Sequence, residues 1–194
     1  MVFDLVPRAR THRRFMENRP VDIETLRSLV NLARLSPSSA NLQSLKFALY
    51  ADSENNQQIF DALAWAGYLP DWPGPAPGER PPAYILVLGD EDLGGGKDVD
   101  AGLAMQSMVL GAASLGLAAC ILGSVNREKL LEVLDLPSNF RIMYVLALGQ
   151  PAEAVSVETV GPDGNIRYWR DENGGFHVPK RSLDELIVVP AQDD

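Results

Sequence analysis

Residues 101–126 carry no charged side chain, and no other feature of this sequence restricts the fold as strongly. A bilayer core needs only about 20 apolar residues, so the length alone would permit a membrane span. The composition argues against one, because polar side chains, glycines and many alanines make the stretch small rather than strongly hydrophobic. It is more typical of a helix over Asp100 to about Leu115, buried on all sides and broken at Gly116, followed by an interior strand over residues 118–122.

Length and composition set the size of the core. The 194 residues, 46% of them hydrophobic, fit one domain over residues 1–194 and can bury a full core without disulfides or metals. A helix that is apolar on every face still needs more protein around it than one such chain easily supplies. We therefore predict a homodimer whose interface includes the helix from Asp100, and no membrane association.

The chain is acidic overall. It has 17 Lys and Arg against 26 Asp and Glu, a formal net charge of -9, which repels a nucleic-acid backbone, so we expect no nucleic-acid partner. The single cysteine, Cys120, lies in an apolar stretch and cannot form an internal disulfide, which predicts a small buried side chain and a reducing, cytoplasmic setting. The first residues lack the apolar core of a signal peptide, in agreement with that setting.

Apolar periodicity predicts alternating helices and strands. Asp22 can cap a helix whose apolar stripe includes Leu29 and which Pro37 ends. Continuous apolar runs at residues 83–88 and 142–148 predict strands covered by helices on both faces, and thus a three-layer α+β sandwich (α-β-α) with a mixed central sheet. The other expected elements are a strand at residues 45–51, helices at residues 57–66 and 127–134, and a proline-rich loop at residues 70–82 that could act as a lid.

The character of the sequence changes from Val155 onward. Residues 155–160 and 165–170 alternate as strands do, and the Gly-Pro-Asp-Gly segment at residues 161–164 is typical of a tight turn. These features predict a β-hairpin in an insertion near residues 155–176. We expect this insertion to lie beside the functional site.

Arginines are concentrated at one point of this acidic chain. Four of them lie within residues 8–14, which makes the local field positive and predicts a bound anion, in particular a phosphate. Short hydrogen-bonding side chains follow the first long helix at residues 37–43, and Lys180 and Arg181 stand near the tail. Together these clusters predict a divided site for a cofactor that carries an anion.

Three motifs, taken in order, resemble those of the FMN-dependent nitroreductase family. The first, of the type Arg-Ser-x-Arg-x-Phe, stands at residues 10–15, and the second, Pro-Ser-x-x-Asn-x-Gln, at residues 37–43. The third, Asp-Ala-Gly-x-Ala-x-Gln, opens the apolar helix at residues 100–106. The resemblance covers residues 8 to about 150 and again 177–187. It implies a nitroreductase-like fold, bound FMN with NADPH or NADH as reductant, and a homodimer with the flavin at the subunit interface.

The resemblance also implies roles for individual residues. Independently of it, charge-assisted hydrogen bonding assigns the phosphate to Arg10, Thr11 and the Lys180-Arg181 pair, with Arg181 the preferred member of the pair. The remaining roles follow from the resemblance. Arg13 would approach the pyrimidine edge of the flavin and stabilise the negative charge of its reduced form. The backbone amide at Gly123 would face the flavin nitrogen that accepts hydride. The full set of expected cofactor-binding residues is Arg10, Thr11, His12, Arg13, Pro37, Ser38, Ser39, Asn41, Gln43, Leu122, Gly123, Lys180 and Arg181.

Two departures from the family pattern bear on the site. Ala9 stands where the family often has a second arginine, a loss for which Arg8 could substitute. Residues 44–45 are Ser-Leu instead of the usual Pro-Trp. The second change alters the packing under the flavin and leaves the substrate open.

Each cluster also has a plainer interpretation. The arginines at residues 13–14 could form a solvated basic face, and residues 180–181 an exposed turn. A zinc site is disfavoured, because neither His12 nor His177 has a Cys or carboxylate at ligand spacing. No Gly-x-Ser-x-Gly motif supports a hydrolase.

The leading hypothesis is an oxidoreductase that takes hydride from NADH or NADPH onto FMN and passes electrons, in ping-pong order, to a small acceptor such as a nitroaromatic or quinone. A divergent flavin enzyme of dehalogenase, dehydrogenase or flavin-cleaving type is a second hypothesis. A flavin-binding protein without turnover, acting as a store, sensor or interaction module, is a third.

Overall fold

The computed structural model describes residues 1–188. The helices are α1 (Val2–Arg8), α2 (Ile23–Arg34), α3 (Ser53–Phe60), α4 (Asp98–Ser114), α5 (Arg127–Val133) and α6 (Leu183–Leu186). The strands are β1 (Leu45–Tyr50), β2 (Ala83–Asp90), β3 (Ala118–Leu122), β4 (Phe140–Gly149), β5 (Val155–Thr159), β6 (Trp169–Arg170) and β7 (Phe176–Lys180). Helices alternate with strands as far as β4, and strands dominate after it.

The central sheet has the spatial order β1-β2-β4-β3, and its three strand pairings are antiparallel. Parallel pairing occurs at an isolated bridge between Thr11 and Ala119, and in a second, smaller sheet. The inner strands β2 and β4 contain the two apolar runs, and every residue of β2 is buried. The prediction that these runs form strands covered on both faces is confirmed.

Separate apolar cores cover the two faces of the central sheet. On one face, Leu29 of α2 and Met108 of α4 pack in the same cluster as Ile85 of β2. On the other face, Ile59 of α3 and Leu130 of α5 belong to a second cluster. That second cluster also holds the free cysteine at position 120, whose burial raises the pKa of its thiol to about 12. The fold is therefore an α+β sandwich with helices on both sides of the sheet, as predicted.

Aspartate caps set the starts of two helices. Asp22 accepts a hydrogen bond from the Thr25 backbone N–H at 2.6 Å and begins α2, as predicted. The helix expected at residues 57–66 is misplaced, because Asp52 caps α3 by accepting from the Asn55 backbone N–H at 2.9 Å. The cap starts the helix earlier than its apolar residues suggest, and the chain turns after Phe60.

α4 is the helix that residues 101–126 predict, but one stripe of it is exposed within a single chain. Ala104 and Met108 are buried, whereas Val99 is 60% and Leu103 43% exposed. Burial on all sides is therefore not achieved by one copy, and coverage of this stripe by a partner stays a prediction. Within residues 1–188, none of the helices combines the length and apolar character needed to cross a bilayer.

The segment from Val155 forms a second sheet in the order β5-β7-β6. β7 pairs in parallel with β5 and antiparallel with β6, so β5 and β6 do not pair with each other. The predicted β-hairpin is therefore wrong, although its turn forms, with the Gly164 backbone N–H donating to the Gly161 carbonyl at 3.0 Å. The fully buried side chain of Phe176 anchors β7 between the other two strands, and this tertiary contact overrides the local turn signal.

Candidate functional site

Three distant parts of the chain converge on a cavity beside β3, here called the Arg10 cavity. Thr11 bridges Ala119 of β3, and the His12 backbone N–H donates to the Ala119 carbonyl at 3.1 Å. The end of β7 brings Lys180 to the same place. The cavity has a volume of about 180 Å³ and is lined by Ala9, Arg10, Thr11, Gln106, Val109, Ala119, Ile121, Val178 and Lys180.

Arg10 is held in place by the end of α1. Its Nη2 donates to the Val6 carbonyl at 2.7 Å, and its Nε is buried without a hydrogen-bond partner among residues 1–188. This unpaired nitrogen, the Thr11 hydroxyl and the Lys180 ammonium form a donor set suited to an anionic oxygen. Gln106 lines the same cavity and was missing from the predicted set, although the third motif contains it.

The two basic residues near the tail have different surroundings. Lys180 lines the Arg10 cavity, whereas Arg181 forms an exposed ion pair with Glu185, with 3.3 Å between Nη1 and Oε1. Glu185 also accepts from the backbone and hydroxyl of Ser182 in the capping box that starts α6. Within one chain Lys180 therefore lies at the cavity, whereas Arg181 lies beyond the strand that reaches it. The expected preference for Arg181 stays a prediction.

His12 lines a neighbouring cavity of about 350 Å³, which it shares with Arg8 and Arg10. Its Nδ1 lies 2.9 Å from the Arg10 carbonyl oxygen. Successive side chains of an extended segment point to opposite sides, so His12 and Thr11 diverge. The structure places His12 next to the Arg10 cavity but not in its lining.

Arg13 lies in an aromatic cluster and does not line the Arg10 cavity. Its guanidinium carbon is 4.6 Å from the ring centroid of Tyr168 and 5.0 Å from that of Phe176. Its backbone N–H donates to the buried carboxylate of Glu153, which also forms an ion pair with Arg170 at 2.7 Å. Sequence reasoning missed this arrangement. Glu153 belongs to no recognised motif, and it is 140 residues away from Arg13 in the chain.

A second cavity, here called the Asp100 cavity, lies at the N-terminal end of α4 and has a volume of about 400 Å³. Asp100 is only 2% exposed, and its Oδ1 accepts hydrogen bonds from Ser39. Its Oδ2 is buried and has no hydrogen-bond partner in the described part of the chain. The predicted residues that line this cavity are Pro37, Ser38, Asn41 and Gln43.

The loop beside the Asp100 cavity has a strained backbone. Ala40, Asn41 and Gln43 have positive φ angles of 49°, 55° and 52°. The Asn41 backbone N–H donates to the Ser38 carbonyl at 2.9 Å, and the Gln43 backbone N–H donates to the Ser38 hydroxyl at 3.2 Å. Left-handed conformations in residues other than glycine are costly, and they cluster at functional sites. This loop is therefore shaped for a purpose other than connecting α2 to β1.

The two cavities lie on opposite faces of α4. Asp100 and Ala104 line one cavity, whereas Gln106 and Val109 line the other. At 3.6 residues per turn, the nine residues from Asp100 to Val109 rotate through two and a half turns. The predicted site residues are thus divided between two faces within one chain.

A comparison with protein families decides the relationship of this chain. The sequence pattern of the Nitroreductase family matches residues 7–74 and 75–150. The chain belongs to the nitroreductase family.

Two curated relatives are enzymes of Bacillus subtilis strain 168. An FMN reductase [NAD(P)H] is 28% identical over 157 residues, which cover 69% of this chain and 59% of the relative. An FMN reductase (NADPH) is 41% identical over 56 residues, which cover 28% of this chain and 22% of the relative.

Solved structures of nitroreductase family proteins share the fold. The protein from Streptococcus pneumoniae TIGR4 has a TM-score of 0.67 at 20% identity, covering 84% of this chain and 96% of that one. The protein from Clostridium novyi NT has a TM-score of 0.65 at 21% identity, covering 78% of this chain and 85% of that one. The nitroreductase-like fold predicted from the motifs is confirmed.

The end of β3 carries the last two residues that the nitroreductase motifs single out. Leu122 is buried and Gly123 is exposed, directly after Ile121, which lines the Arg10 cavity. A Cβ atom at Gly123 would meet only the ring of Tyr144, at 3.6 Å, which is ordinary van der Waals contact. Packing within this nitroreductase chain therefore does not require glycine at position 123.

His177 forms a polar cluster on the second sheet. Its Nε2 lies 3.0 Å from Asp171 Oδ2 and its Nδ1 lies 2.8 Å from Glu158 Oε1, while its ring stacks on Trp169. The pKa of His177 is raised, mainly by the hydrogen bond with Asp171 and to a smaller extent by the one with Glu158. The positions of Glu158 and Asp171 in the sequence did not reveal their contacts with His177, because it is the pairing of β5, β6 and β7 that brings these residues together. Within residues 1–188, no group of three or more His, Cys, Asp and Glu side chains is placed to hold a metal.

Proposed function

We propose that this chain is an FMN-dependent oxidoreductase that transfers reducing equivalents from NADH or NADPH to a small acceptor such as a nitroaromatic or quinone. The observation that carries the proposal is the convergence of Arg10, Thr11 and Lys180 on one cavity, where the buried Arg10 Nε has no hydrogen-bond partner within residues 1–188. Family membership and the names of the curated relatives support it. The chain spans 59% of the first relative, so the activity of the whole relative is an inference for this chain.

The residues of the Arg10 cavity fit the phosphate of FMN. A phosphate monoester carries about −1.5 to −2 charges at neutral pH and three strong acceptor oxygens. Hydrogen bonds to charged groups contribute about 1.5–3 kcal/mol each, so Arg10, Thr11 and Lys180 together would retain the cofactor. Bound FMN would supply a carrier that accepts and donates hydride. The chain's own part is then to bind and orient this carrier.

The second half of the proposed site is the loop at residues 37–43. Its side chains at Ser38, Asn41 and Gln43 can hydrogen-bond the polar edge and ribityl chain of a flavin. Because the Asp100 cavity and the Arg10 cavity lie on opposite faces of α4, one copy cannot direct both at the same flavin. We infer that the loop of one subunit completes the site of the other, with FMN at the interface.

Exposed apolar side chains support the proposed homodimer. Phe3 on α1 is 80% exposed, and Val99 and Leu103 on α4 are also accessible. A groove of about 460 Å³ between α1, α2 and α4 is lined in part by Leu35 and Leu110. Soluble proteins seldom leave such a contiguous apolar surface uncovered. A second copy of the chain, applied to these helices, would cover it.

We propose that the reductant and the acceptor use the same site in turn, which gives ping-pong kinetics. Among residues 1–188, the lining of the Arg10 cavity includes no carboxylate, and its titratable side chains are Arg10 and Lys180. These cations suit binding of anions rather than proton transfer at neutral pH. The chain's residues therefore position the reactants, and no protein acid or base is assigned.

The position of Arg13 favours a second candidate function. If its guanidinium stays against the rings of Tyr168 and Phe176, it does not stabilise a reduced flavin, and the protein would bind flavin without turnover. Such a protein would act as a store, a sensor or an interaction module. A divergent flavin enzyme with a dedicated substrate would share the same binding residues.

The visible spectrum of the purified protein, before and after anaerobic addition of NADPH or NADH, tests these functions. An oxidoreductase shows a flavin band that the nicotinamide bleaches and that a quinone or nitroaromatic restores. A yellow protein that only dithionite reduces has the binding function or a different reductant. A colourless protein that does not take up FMN contradicts all three flavin functions.

A further inference from the structure

A third cavity, here called the Tyr84 cavity, lies between α3, the end of the proline-rich loop and β2. It has a volume of about 220 Å³, and its lining includes Glu17, Asn56, Phe60, Arg80, Pro82 and Tyr84. None of these residues lines the Arg10 cavity or the Asp100 cavity. The proposed flavin site therefore gives it no role.

Three polar atoms of the Tyr84 cavity are buried without a hydrogen-bond partner. They are Arg80 Nε, Asn56 Oδ1 and the Tyr84 hydroxyl, and the statement holds for partners within residues 1–188. Each such group costs about 1–3 kcal/mol, and native proteins leave few of them. Tyr84 is fully buried, so its own exposure to solvent cannot satisfy the hydroxyl. Three unsatisfied groups around one cavity indicate that a polar ligand completes it.

Neighbouring contacts fix these groups. Arg80 Nη1 donates to Gln57 Oε1 at 2.6 Å, and the guanidinium carbon lies 4.3 Å from the centroid of the Phe60 ring. Asn56 Nδ2 donates to the Pro82 carbonyl at 2.7 Å, which leaves Oδ1 as the free end of the amide. The free Nε and Oδ1 atoms are thus held in position before any ligand arrives, which lowers the entropy lost on binding.

The chemistry of the lining defines the ligand. Arg80 Nε and the Tyr84 hydroxyl are donors, and burial raises the pKa of that hydroxyl, so it keeps its proton. Asn56 Oδ1 is an acceptor. The Glu17 carboxylate also lines the cavity and is held by hydrogen bonds from the Gly78 backbone N–H and, at 3.4 Å, from the Arg80 backbone N–H. A matching ligand carries a carboxylate at one end and a positively charged donor at the other.

We propose that the Tyr84 cavity binds a small zwitterionic α-amino acid. Its carboxylate meets Arg80 Nε and the Tyr84 hydroxyl, and its ammonium group meets Asn56 Oδ1 and the Glu17 carboxylate. At about 30 Å³ per water, the cavity holds roughly seven water-sized groups, which suits a molecule as small as alanine. Phe60 and Pro82 supply the apolar wall for its side chain.

Three ligands of nearly equal shape test the proposal. L-Alanine, L-lactate and propionate share the carboxylate and differ in presenting an ammonium, a hydroxyl or no donor. The expected result is that millimolar alanine raises the Tm and binds in calorimetry, that lactate binds more weakly, and that propionate binds least. Absence of alanine binding, or lactate or propionate binding as tightly as alanine, would overturn the proposal.

A matched pair of variants locates the site. Tyr84→Phe removes the unpaired hydroxyl, so the free variant should be as stable as the wild type or more so, yet bind alanine at least about tenfold more weakly. Tyr50→Phe is the control, because Tyr50 pairs with Tyr84 across β1 and β2 but does not line the cavity. Unchanged alanine binding by Tyr84→Phe, or equal losses in both variants, would place the site elsewhere.

The proposed amino-acid site stands independently of the proposed flavin site. Arg10→Ala changes the Arg10 cavity and the neighbouring cavity beside His12 but leaves the lining of the Tyr84 cavity intact, so alanine binding should be the same in this variant as in the wild type. Calorimetry with alanine and the visible spectrum therefore fail separately. Loss of alanine binding in Arg10→Ala would show that the ligand occupies the flavin site and would contradict the inference.

Discussion

Asp100 Oδ1 accepts two hydrogen bonds from Ser39, one from its backbone N–H at 2.9 Å and one from its hydroxyl at 2.8 Å. This contact joins the start of α4 to the strained loop at residues 37–43. The carboxylate is buried, so water does not compete for it. Two motifs that are far apart in the sequence are therefore one structural unit, in which the acid holds the loop.

Asp100→Ala should destabilise this unit. The change removes both hydrogen bonds to Ser39, and we expect the free energy of unfolding to fall by about 2 kcal/mol. Urea unfolding measures the loss. Asp98→Ala is the control, because Asp98 is an acid in the same first turn of α4 and its one side-chain hydrogen bond, from the Tyr144 hydroxyl at 3.1 Å, is exposed to water. Equal losses in the two variants would mean that the contact with Ser39 adds nothing beyond charge at the helix start.

The Arg10 cavity predicts an order of effects on FMN binding. Arg10→Ala removes the unpaired buried donor and should weaken FMN binding at least about tenfold, and Lys180→Ala should also weaken it. Arg181→Ala should have little effect, since that side chain pairs with Glu185. Fluorescence titration of the flavin-free variants with FMN gives the three dissociation constants. A larger loss of FMN affinity in Arg181→Ala than in Lys180→Ala would favour Arg181 as the member of the pair that binds the phosphate.

Arg13→Ala separates the oxidoreductase from the flavin-binding protein without turnover. If Arg13 leaves Tyr168 and Phe176 to approach the flavin, its loss should lower the reduction potential of bound FMN and leave the affinity nearly unchanged. If it stays in the aromatic cluster, the potential should not move. Tyr168→Leu, which removes one ring of the same cluster without removing a charge, is the control for packing effects. Spectroelectrochemical titration measures the potential.

Local sequence signals predicted correctly those helices and strands whose structure is determined by residues close to them in the chain. The continuous apolar run of β2 and the Asp22 cap of α2 each specify their structure within a few residues. The short amphipathic α3 was misplaced because its apolar residues Ile59 and Phe60 stand at its end, and the Asp52 cap rather than the stripe determines where it lies. Short helices therefore depend more on caps than on periodicity.

The pairing of strands that are far apart in the chain could not be predicted from the sequence. The turn at residues 161–164 exists, but β5 pairs with β7 because buried Phe176 brings that strand inward. The same pairing carries Lys180 to the Arg10 cavity and places Phe176 against Arg13. The motifs thus propose a set of site residues, whereas tertiary contacts decide which of these residues lie together.

The His177 cluster predicts a pH dependence of stability. Because its folded-state pKa is raised, His177 stabilises the fold fully below its ordinary pKa of about 6.5, and this contribution is lost as the pH rises through the raised value. Contact with His177 also lowers the pKa of Asp171 and of Glu158, so their contribution is present above about pH 4.5 and lost as the pH falls through the lowered values. The cluster therefore stabilises most between these limits.

NMR titration of the His177 ring measures this directly. Asp171→Asn should bring its pKa back towards the ordinary value and flatten the dependence of the urea midpoint on pH above about 6.5. Glu172→Gln, the neighbouring exposed acid, is the control and should leave both unchanged. An unaltered His177 pKa in Asp171→Asn would show that the ion pair does not form in solution.

The exposed stripe of α4 predicts the response of the proposed dimer to a new charge. Leu103 is 43% exposed in the single chain, and a partner subunit would bury it. Leu103→Glu would then place a carboxylate in an apolar interface, where an unpaired charge is strongly unfavourable, so the protein should become monomeric. Leu131→Glu is the matched control, because Leu131 is 39% exposed on α5 and faces away from the proposed interface.

Sedimentation velocity should show a dimer for the wild type and Leu131→Glu. FMN affinity should fall with the dimer in Leu103→Glu alone, since the loop at residues 37–43 would no longer reach the neighbouring site. A Leu103→Glu protein that remains dimeric and retains FMN would place the interface on another surface.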